Sequence, residues 1–184
     1  QTGYLYGIDA SEEFAGHTVG RFKWRLPVLG KVWSTPIIEE GVAYLTTMGG
    51  YVYAVDLSEG LEIQDRELWR WKAGGAIAAS PIIQDGKLLV GDFEGDFYSL
   101  DLNDRAANPS GENLASTEWK FEGSAWIWAR GVVDGDTVYV STLNGEIFAL
   151  DLDSGRPLWT SPGQIEGQIV GDPILFSGPR GKSL

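Results

Sequence analysis

Hydrophobic and polar residues alternate with a period of two along most of the chain. The clearest runs are short, rich in β-branched and aromatic residues, and lie at 42–46, 87–91 and 137–141. Such alternation is typical of β-strands, because successive side chains of a strand point to opposite faces of the sheet. No segment shows the 3.6-residue period of an amphipathic helix convincingly. The pattern therefore predicts an all-β protein.

The predicted strands recur as a repeat. Four segments share a glycine followed six positions later by an aspartate, and a tryptophan lies downstream of each. The glycines are Gly3, Gly50, Gly95 and Gly145; the aspartates are Asp9, Asp56, Asp101 and Asp151; the tryptophans are Trp24, Trp71, Trp119 and Trp159. The repeats begin roughly 45–50 residues apart, which is the period of a four-stranded propeller blade.

Glycine-containing dipeptides separate the strands within each repeat. We expect two-residue hairpin loops with positive φ at Gly49-Gly50, Glu94-Gly95 and Asn144-Gly145. The fold class that follows is a β-propeller of four-stranded antiparallel blades, with about four blade repeats in residues 1–184 and possibly part of a seven- or eight-bladed propeller. We expect one propeller domain or a fragment of one.

The strand tally is two outer strands of a first blade, three complete blades and a last inner strand from Gln168 to Phe176. Three arrangements fit this tally. The last strand could complete the first blade in a closed ring of four, two chains could form an eight-bladed homodimer, or the chain could be part of a longer propeller. We favour the third.

The repeated residues have structural roles in this interpretation. An aspartate can hold a turn by accepting hydrogen bonds from nearby backbone N–H groups. A tryptophan can lie between two blades, with its ring buried and its N–H bonded to a carbonyl. We therefore expect the four aspartates and four tryptophans to stabilise turns and blade contacts.

A family resemblance follows from residues 149–159, which read Ala-Leu-Asp-Leu-Asp-Ser-Gly-Arg-Pro-Leu-Trp. This segment resembles the tryptophan-docking motif Ala-x-Asp-x-x-Thr-Gly-Lys-x-x-Trp of the pyrroloquinoline-quinone (PQQ)-type β-propeller repeats. Gly155 matches the motif glycine, whereas Ser154 and Arg156 replace its Thr and Lys. The other three copies depart from the motif, because longer polar loops separate their Asp from their Trp.

The resemblance implies two classes of function. Quinoprotein dehydrogenases of this family oxidise alcohols or sugars with PQQ and calcium. Non-catalytic members, such as the propeller lipoprotein of the outer-membrane β-barrel assembly machinery, are platforms for protein interaction. Fold alone does not choose between these classes.

The amino-acid composition argues against several kinds of catalytic site and binding partner. The formal charge is −12, which argues against nucleic acid or anionic lipid as the main partner. There is no Cys and a single His, His17. A thiolate nucleophile, a multi-histidine metal site and the vicinal cysteine pair of the best-known quinoprotein alcohol dehydrogenases are therefore absent. We expect His17 to face solvent in a loop.

Three non-repeating residues precede the inner strands and are candidates for a funnel at the channel mouth: Trp33, Trp128 and Arg130. Their rings and guanidinium group could hold a flat anionic ligand such as PQQ. The alternative, which we favour, is that both rings fill gaps between blades and that Arg130 pairs with a carboxylate. The acidic turn 92–96 could offer oxygen ligands to calcium, but we interpret it as a solvated turn.

We therefore predict a non-catalytic, extracytoplasmic scaffold for protein–protein interaction, without a cofactor. The alternative is a PQQ-dependent alcohol or sugar dehydrogenase, or a fragment of one, with PQQ and calcium as cofactors. A third possibility is a surface sensor or glycan-binding propeller. The expected partners are proteins, with no nucleic acid and no direct membrane insertion. The resemblance alone implies a periplasmic or extracellular location.

Overall fold

The computed structural model describes residues 2–11, 21–102, 115–178 and 181–184. His17 and most of two predicted long loops lie outside this part of the chain. The described residues form the predicted all-β architecture of consecutive antiparallel sheets.

The chain begins with a two-stranded ribbon, β1 (Thr2–Ile8) and β2 (Phe22–Leu29). Blade 1 contains β3 (Ile37–Glu39), β4 (Val42–Thr46), β5 (Tyr51–Asp56) and β6 (Glu67–Lys72). Blade 2 contains β7 (Ile82–Gln84), β8 (Lys87–Gly91), β9 (Asp96–Asp101) and β10 (Thr117–Glu122). Blade 3 contains β11 (Val132–Asp134), β12 (Thr137–Ser141), β13 (Glu146–Asp151) and β14 (Gly163–Gln164). A hairpin of β15 (Phe176–Gly178) and β16 (Gly181–Ser183) follows.

The prediction of a last inner strand from Gln168 to Phe176 is wrong in its position. Residues 165–175 form no strand, and the pairing begins at Phe176. The same stretch of each preceding repeat, at 76–81 and 126–131, also runs outside the sheet before a three-residue inner strand. Pro173, which has no backbone N–H to donate to a sheet, further disfavours a continuous strand. The C-terminal hairpin and the N-terminal ribbon form separate sheets.

The hairpin turns also differ from the predicted two-residue loops. Thr47 N–H bonds to the Tyr51 carbonyl and Gly50 N–H to the Thr47 carbonyl, which makes a three-residue loop ending in Gly50. Gly50 has φ of +77°, and the same bonding pattern occurs in blades 2 and 3. Two-residue turns with positive φ at both positions occur instead between the inner strands, at Glu40-Gly41 and Asp85-Gly86.

The hydrophobic core is divided into layers between neighbouring sheets. One layer joins the ribbon to blade 1, the second joins blade 1 to blade 2, and the third joins blade 2 to blade 3. The outer face of the ribbon and the far face of blade 3 lack such a layer among the described residues. Their exposed apolar side chains include Tyr4, Tyr6, Ile8, Phe22, Leu158 and Trp159.

In the described residues, helical structure is limited to one 3-10 turn, Ile63–Asp65. Within the described ranges, the structure holds no helix with the length and apolar character needed to cross a bilayer.

Candidate functional site

Trp119 provides the most complete blade-to-blade docking contact. Its ring is 9% exposed, and its indole N–H donates to the Leu152 carbonyl of the next blade at 3.0 Å. The backbone of Gly155 lies against the same ring, since a Cβ added there would be 2.4 Å from Trp119 Cε3. Gly155 also has φ of +68°, a conformation that disfavours other residues. The motif glycine therefore accepts the tryptophan of the preceding repeat.

In blade 1 the strand register places Trp69, and not the predicted Trp71, at the position of Trp119. Trp69 lies opposite Ala54 beside a bulge, as Trp119 lies opposite Ser99, whereas Trp71 lies two residues further on, opposite Val52.

Trp71 and Trp24 have other partners. Trp71 donates its N–H to the Thr117 hydroxyl at 3.1 Å and contacts the Tyr98 ring edge-on, with centroids 4.8 Å apart. The Trp24 ring lies 4.6 Å from the guanidinium carbon of Arg66. The backbone of Gly7 also lies against the Trp24 ring, since a Cβ added there would clash with the indole.

Arg66 is a structural residue that the sequence pattern did not reveal. It is 4% exposed and donates from its two terminal nitrogens to the carbonyls of Asp56, Ser58 and Leu61. The Arg66 guanidinium group thus holds the 57–66 loop by hydrogen bonds and joins it to the Trp24 ring by cation–π attraction. The only signal in the sequence was one arginine within an acidic run.

Trp159 differs from the other repeat tryptophans because it is 43% exposed. Its ring contacts Tyr139 of its own blade, with centroids 5.9 Å apart. No further blade covers it among the described residues.

The repeated aspartates lie at the ends of equivalent strands. The carboxylates of Asp9 and Asp56 accept from backbone N–H groups two residues later. Asp151 accepts from both the hydroxyl and the N–H of Ser154. These bonds hold the pKa of Asp151 below its usual value, because they favour the ionised carboxylate.

Asp92 corrects the interpretation of residues 92–96 as a solvated turn. Its side chain is fully buried and replaces Thr47 and Thr142 of the other blades. One carboxylate oxygen accepts from the N–H groups of Glu94 and Asp96, and the other accepts from Gly75 N–H. The second oxygen also lies 3.2 Å from the Tyr98 hydroxyl. Burial is the main cause that raises the pKa of Tyr98, and the charge of Asp92 adds to it.

Replacing Asp92 by Ala is expected to lower the free energy of unfolding by about 1–3 kcal/mol, because buried N–H groups lose their acceptor. Asp92→Asn, which retains one acceptor oxygen, should cost less. Urea unfolding followed by circular dichroism measures both changes. Equal stability of the Ala variant and the parent would contradict the proposed hydrogen-bonding role.

Trp33 and Trp128 are brought together with two aromatic residues that the sequence analysis did not select. The Trp33 and Trp128 ring centroids are 6.3 Å apart. The Phe93 ring stacks on Trp128, with centroids 5.3 Å apart. It also stacks on Trp126, with centroids 4.7 Å apart and the two rings parallel. We call these four residues, Trp33, Phe93, Trp126 and Trp128, the aromatic band. Trp33 is 58% exposed and Trp126 is 48% exposed.

The backbone holds the aromatic band at equivalent places in successive repeats. The N–H at the tip of each β-hairpin bonds to the loop that precedes its own blade. The three bonds run from Met48 to Lys31, from Phe93 to Ala76 and from Leu143 to Trp126, at 2.7–2.9 Å. In blades 1, 2 and 3, the residue at the hairpin tip is therefore Met, Phe and Leu, and its partner in the preceding loop is Lys, Ala and Trp. Comparing these positions among repeats was the signal that could have found Phe93 and Trp126.

Arg130, the third predicted funnel residue, is engaged with Asp172. Its backbone N–H donates to one Asp172 carboxylate oxygen at 2.7 Å, and its Nε lies 3.8 Å from the other. An equivalent bond joins Thr35 N–H to the Ser80 hydroxyl between blades 1 and 2. The geometry therefore resembles a repeated structural link more than an unpaired cation aimed at a ligand.

Two cavities flank the aromatic band. The first has a volume of about 510 Å³ and is lined by Lys31, Trp33 and Met48 among others. The second has a volume of about 480 Å³, and its lining includes Trp126, Leu143 and Asn144. Exposed rings, two cavities and rigid turns together form the candidate site. Binding is the activity that this arrangement supports.

Part of the chain is similar to a known protein family. Residues 104–178 match the family model described as outer membrane protein assembly factor BamB. A comparison with curated proteins finds no match.

Solved structures show the same fold. BamB from Moraxella catarrhalis is 21% identical, with a TM-score of 0.62 over 89% of this chain and 43% of the BamB chain. The computationally designed Ika4 protein is 12% identical, with a TM-score of 0.64 over 84% of this chain and 89% of its own. A europium-containing methanol dehydrogenase is 18% identical, with a TM-score of 0.53 over 71% of this chain and 24% of its own. This chain thus spans under half the length of the BamB structure.

Proposed function

From a chain built of PQQ-type, BamB-like β-propeller repeats, we propose a non-catalytic scaffold that binds a protein partner outside the cytoplasm. The compartment in this proposal rests on the resemblance to an outer membrane protein assembly factor. The partner and the binding role rest on the surface of this chain.

The observation that carries the proposal is the exposure of the aromatic band. Single exposed apolar residues are common on soluble proteins, whereas contiguous patches mark sites of interaction. Tryptophan is enriched among the residues that contribute most to protein–protein binding. Ala76 and Ala78 stand at the repeat positions of Trp126 and Trp128. The fold therefore does not require large rings there, and a binding role accounts for them.

A photo-crosslinking experiment tests this proposal. Benzoylphenylalanine is placed at position 126 and, as a control, at Leu158, which is 52% exposed and lies outside the aromatic band. Illumination with an envelope fraction of the source organism should give a protein adduct from position 126 only. Trp128→Ala should reduce that adduct severalfold, because it removes the ring at the centre of the surface. Equal adducts from positions 126 and 158, or none from position 126, would overturn the proposal.

The quinoprotein alternative is favoured by one observation, the cluster of Trp33, Trp128 and two further aromatic rings. The described residues fit PQQ and calcium poorly, because the Trp126 and Trp128 rings stack on Phe93 and Arg130 is engaged by Asp172. The described ranges also contain no group of three or more His, Cys, Asp or Glu side chains suited to a metal ion. We therefore derive no catalytic step for this chain.

A titration with PQQ and calcium, followed by tryptophan fluorescence, separates the two functions. We expect no saturable quenching that depends on Arg130. Saturable quenching that is lost in Arg130→Ala would restore the quinoprotein alternative and make Trp33 and Trp128 cofactor contacts.

A further inference from the structure

The two cavities beside the aromatic band occupy equivalent positions in blades 1 and 3. Met48 and Leu143, one in each cavity, both lie at the tip of a hairpin. Blade 2 has Phe93 at the same position, and its ring packs on Trp126. The Phe93 ring thus fills this position in blade 2, whereas Met48 in blade 1 and Leu143 in blade 3 leave room for a cavity.

The aromatic band connects the two cavities. Trp33 lines the first cavity and Trp126 lines the second. The centroid path from Trp33 through Trp128 and Phe93 to Trp126 has steps of 6.3, 5.3 and 4.7 Å. The two indoles are therefore at most about 16 Å apart, and the surface between them is aromatic.

This spacing suits an extended peptide. A strand advances about 3.3 Å per residue, and only residues separated by an even number point to the same face. Side chains at positions i and i+4 lie about 13 Å apart on one face, within the upper limit of about 16 Å for the two indoles that line the cavities. Side chains at i and i+3 point to opposite faces.

Charge distinguishes the two ends of this surface. Lys31 is the charged residue among those that line the first cavity, and it is exposed. Among the described ion pairs, none involves Lys31. The residues that line the second cavity are uncharged. A bound segment with a carboxylate near its first anchor would complement this asymmetry.

We propose that the aromatic band and its two cavities bind an extended peptide segment with large apolar side chains at i and i+4 and an acidic residue beside the anchor near Lys31. This inference rests on the proposed scaffold function and specifies the kind of partner segment. The rings provide apolar contact along the peptide, and the cavities select its spacing. The hydrogen-bonded hairpin tips hold the surface in place before binding, which reduces the entropy lost on association.

Fluorescein-labelled heptapeptides test the inference by fluorescence anisotropy. The probe has Phe at positions 2 and 6, Asp at position 1 and Ser or Thr elsewhere, and the reversed sequence covers the opposite direction. The control peptide has the same composition with Phe at positions 2 and 5. Protein variants are Trp33→Ala and Trp126→Ala, with Leu158→Ala as the matched control. Ala76 and Ala78 already occupy the equivalent positions of blade 2, so the fold accommodates the substitutions.

We expect one probe direction to bind saturably. Binding should be at least about tenfold weaker for the control peptide and for each Trp variant, since an apolar anchor is lost. Leu158→Ala should bind like the parent. Lys31→Ala should weaken the Asp probe about threefold and leave a Ser-substituted probe unchanged.

Two results would overturn the inference: equal affinity for both Phe spacings, or no binding of either probe direction. The crosslinking experiment separates these failures from a failure of the scaffold function. If position 126 still captures a protein while the peptides do not bind, the scaffold function stands and the partner docks through a folded surface.

Discussion

Trp71→Ala is expected to lower the free energy of unfolding by about 3–5 kcal/mol. The side chain is 7% exposed within the core layer between blades 1 and 2. Removing it deletes the contact with Tyr98 and leaves a cavity that the rigid sheets cannot close. It also removes the hydrogen bond to the Thr117 hydroxyl. Urea unfolding followed by circular dichroism provides the measurement.

An exposed tryptophan offers a control. Trp159 is 43% exposed, so Trp159→Ala should cost less than about 1 kcal/mol. Trp71→Phe retains most of the ring contact and should cost less than Trp71→Ala. A loss below about 1 kcal/mol for Trp71→Ala would show that Trp71 is not a docking wedge.

Gly155→Ala is expected to lower the free energy of unfolding by about 2–5 kcal/mol. The positive φ of Gly155 costs an L-residue about 1–2 kcal/mol. The new methyl group would also press on the Trp119 ring, and such overpacking adds about 1–3 kcal/mol. The backbone on either side is held by hydrogen bonds, so the residue cannot move away from the ring without further loss.

Gly60→Ala separates these two causes. Gly60 has φ of +78°, close to that of Gly155, but a Cβ there would meet no atom within 4 Å. Gly60→Ala should therefore show the conformational cost alone, about 1–2 kcal/mol. Equal losses for the two variants in chemical unfolding would mean that the contact with Trp119 contributes nothing.

Most of the fold could be predicted because its signals are local and repeated. Period-two alternation and the recurring Gly and Asp positions gave three full blades and the N-terminal ribbon, and these predictions are confirmed. The last strand was misplaced because Gln168 to Phe176 contains several apolar residues, yet sheet pairing depends on a neighbouring strand. Turn lengths were wrong because Gly50 ends a three-residue loop, and this geometry depends on hydrogen bonds that composition does not specify.

The candidate site was predicted only in part, for a different reason. Trp33 and Trp128 were visible because they interrupt a repeated column, but Phe93 and Trp126 come from a hairpin tip and a loop that only the fold brings together. The acidic neighbours of Asp92 suggested a solvated side chain. Its carboxylate is instead buried and accepts a hydrogen bond from Gly75 N–H on an adjacent loop. The role of Arg66 likewise depends on carbonyls that converge in three dimensions.

The layered core has a kinetic consequence. Because each sheet is stabilised only by its immediate neighbours, opening at one end need not disturb the other, and local stability should be graded along the chain. Amide hydrogen exchange should be slowest in blades 1 and 2, which each have a core layer on both faces, and fastest in the two-stranded ends. The rings of the aromatic band gather around Phe93 of blade 2. The proposed binding surface would therefore keep its shape while the ends of the chain open and close.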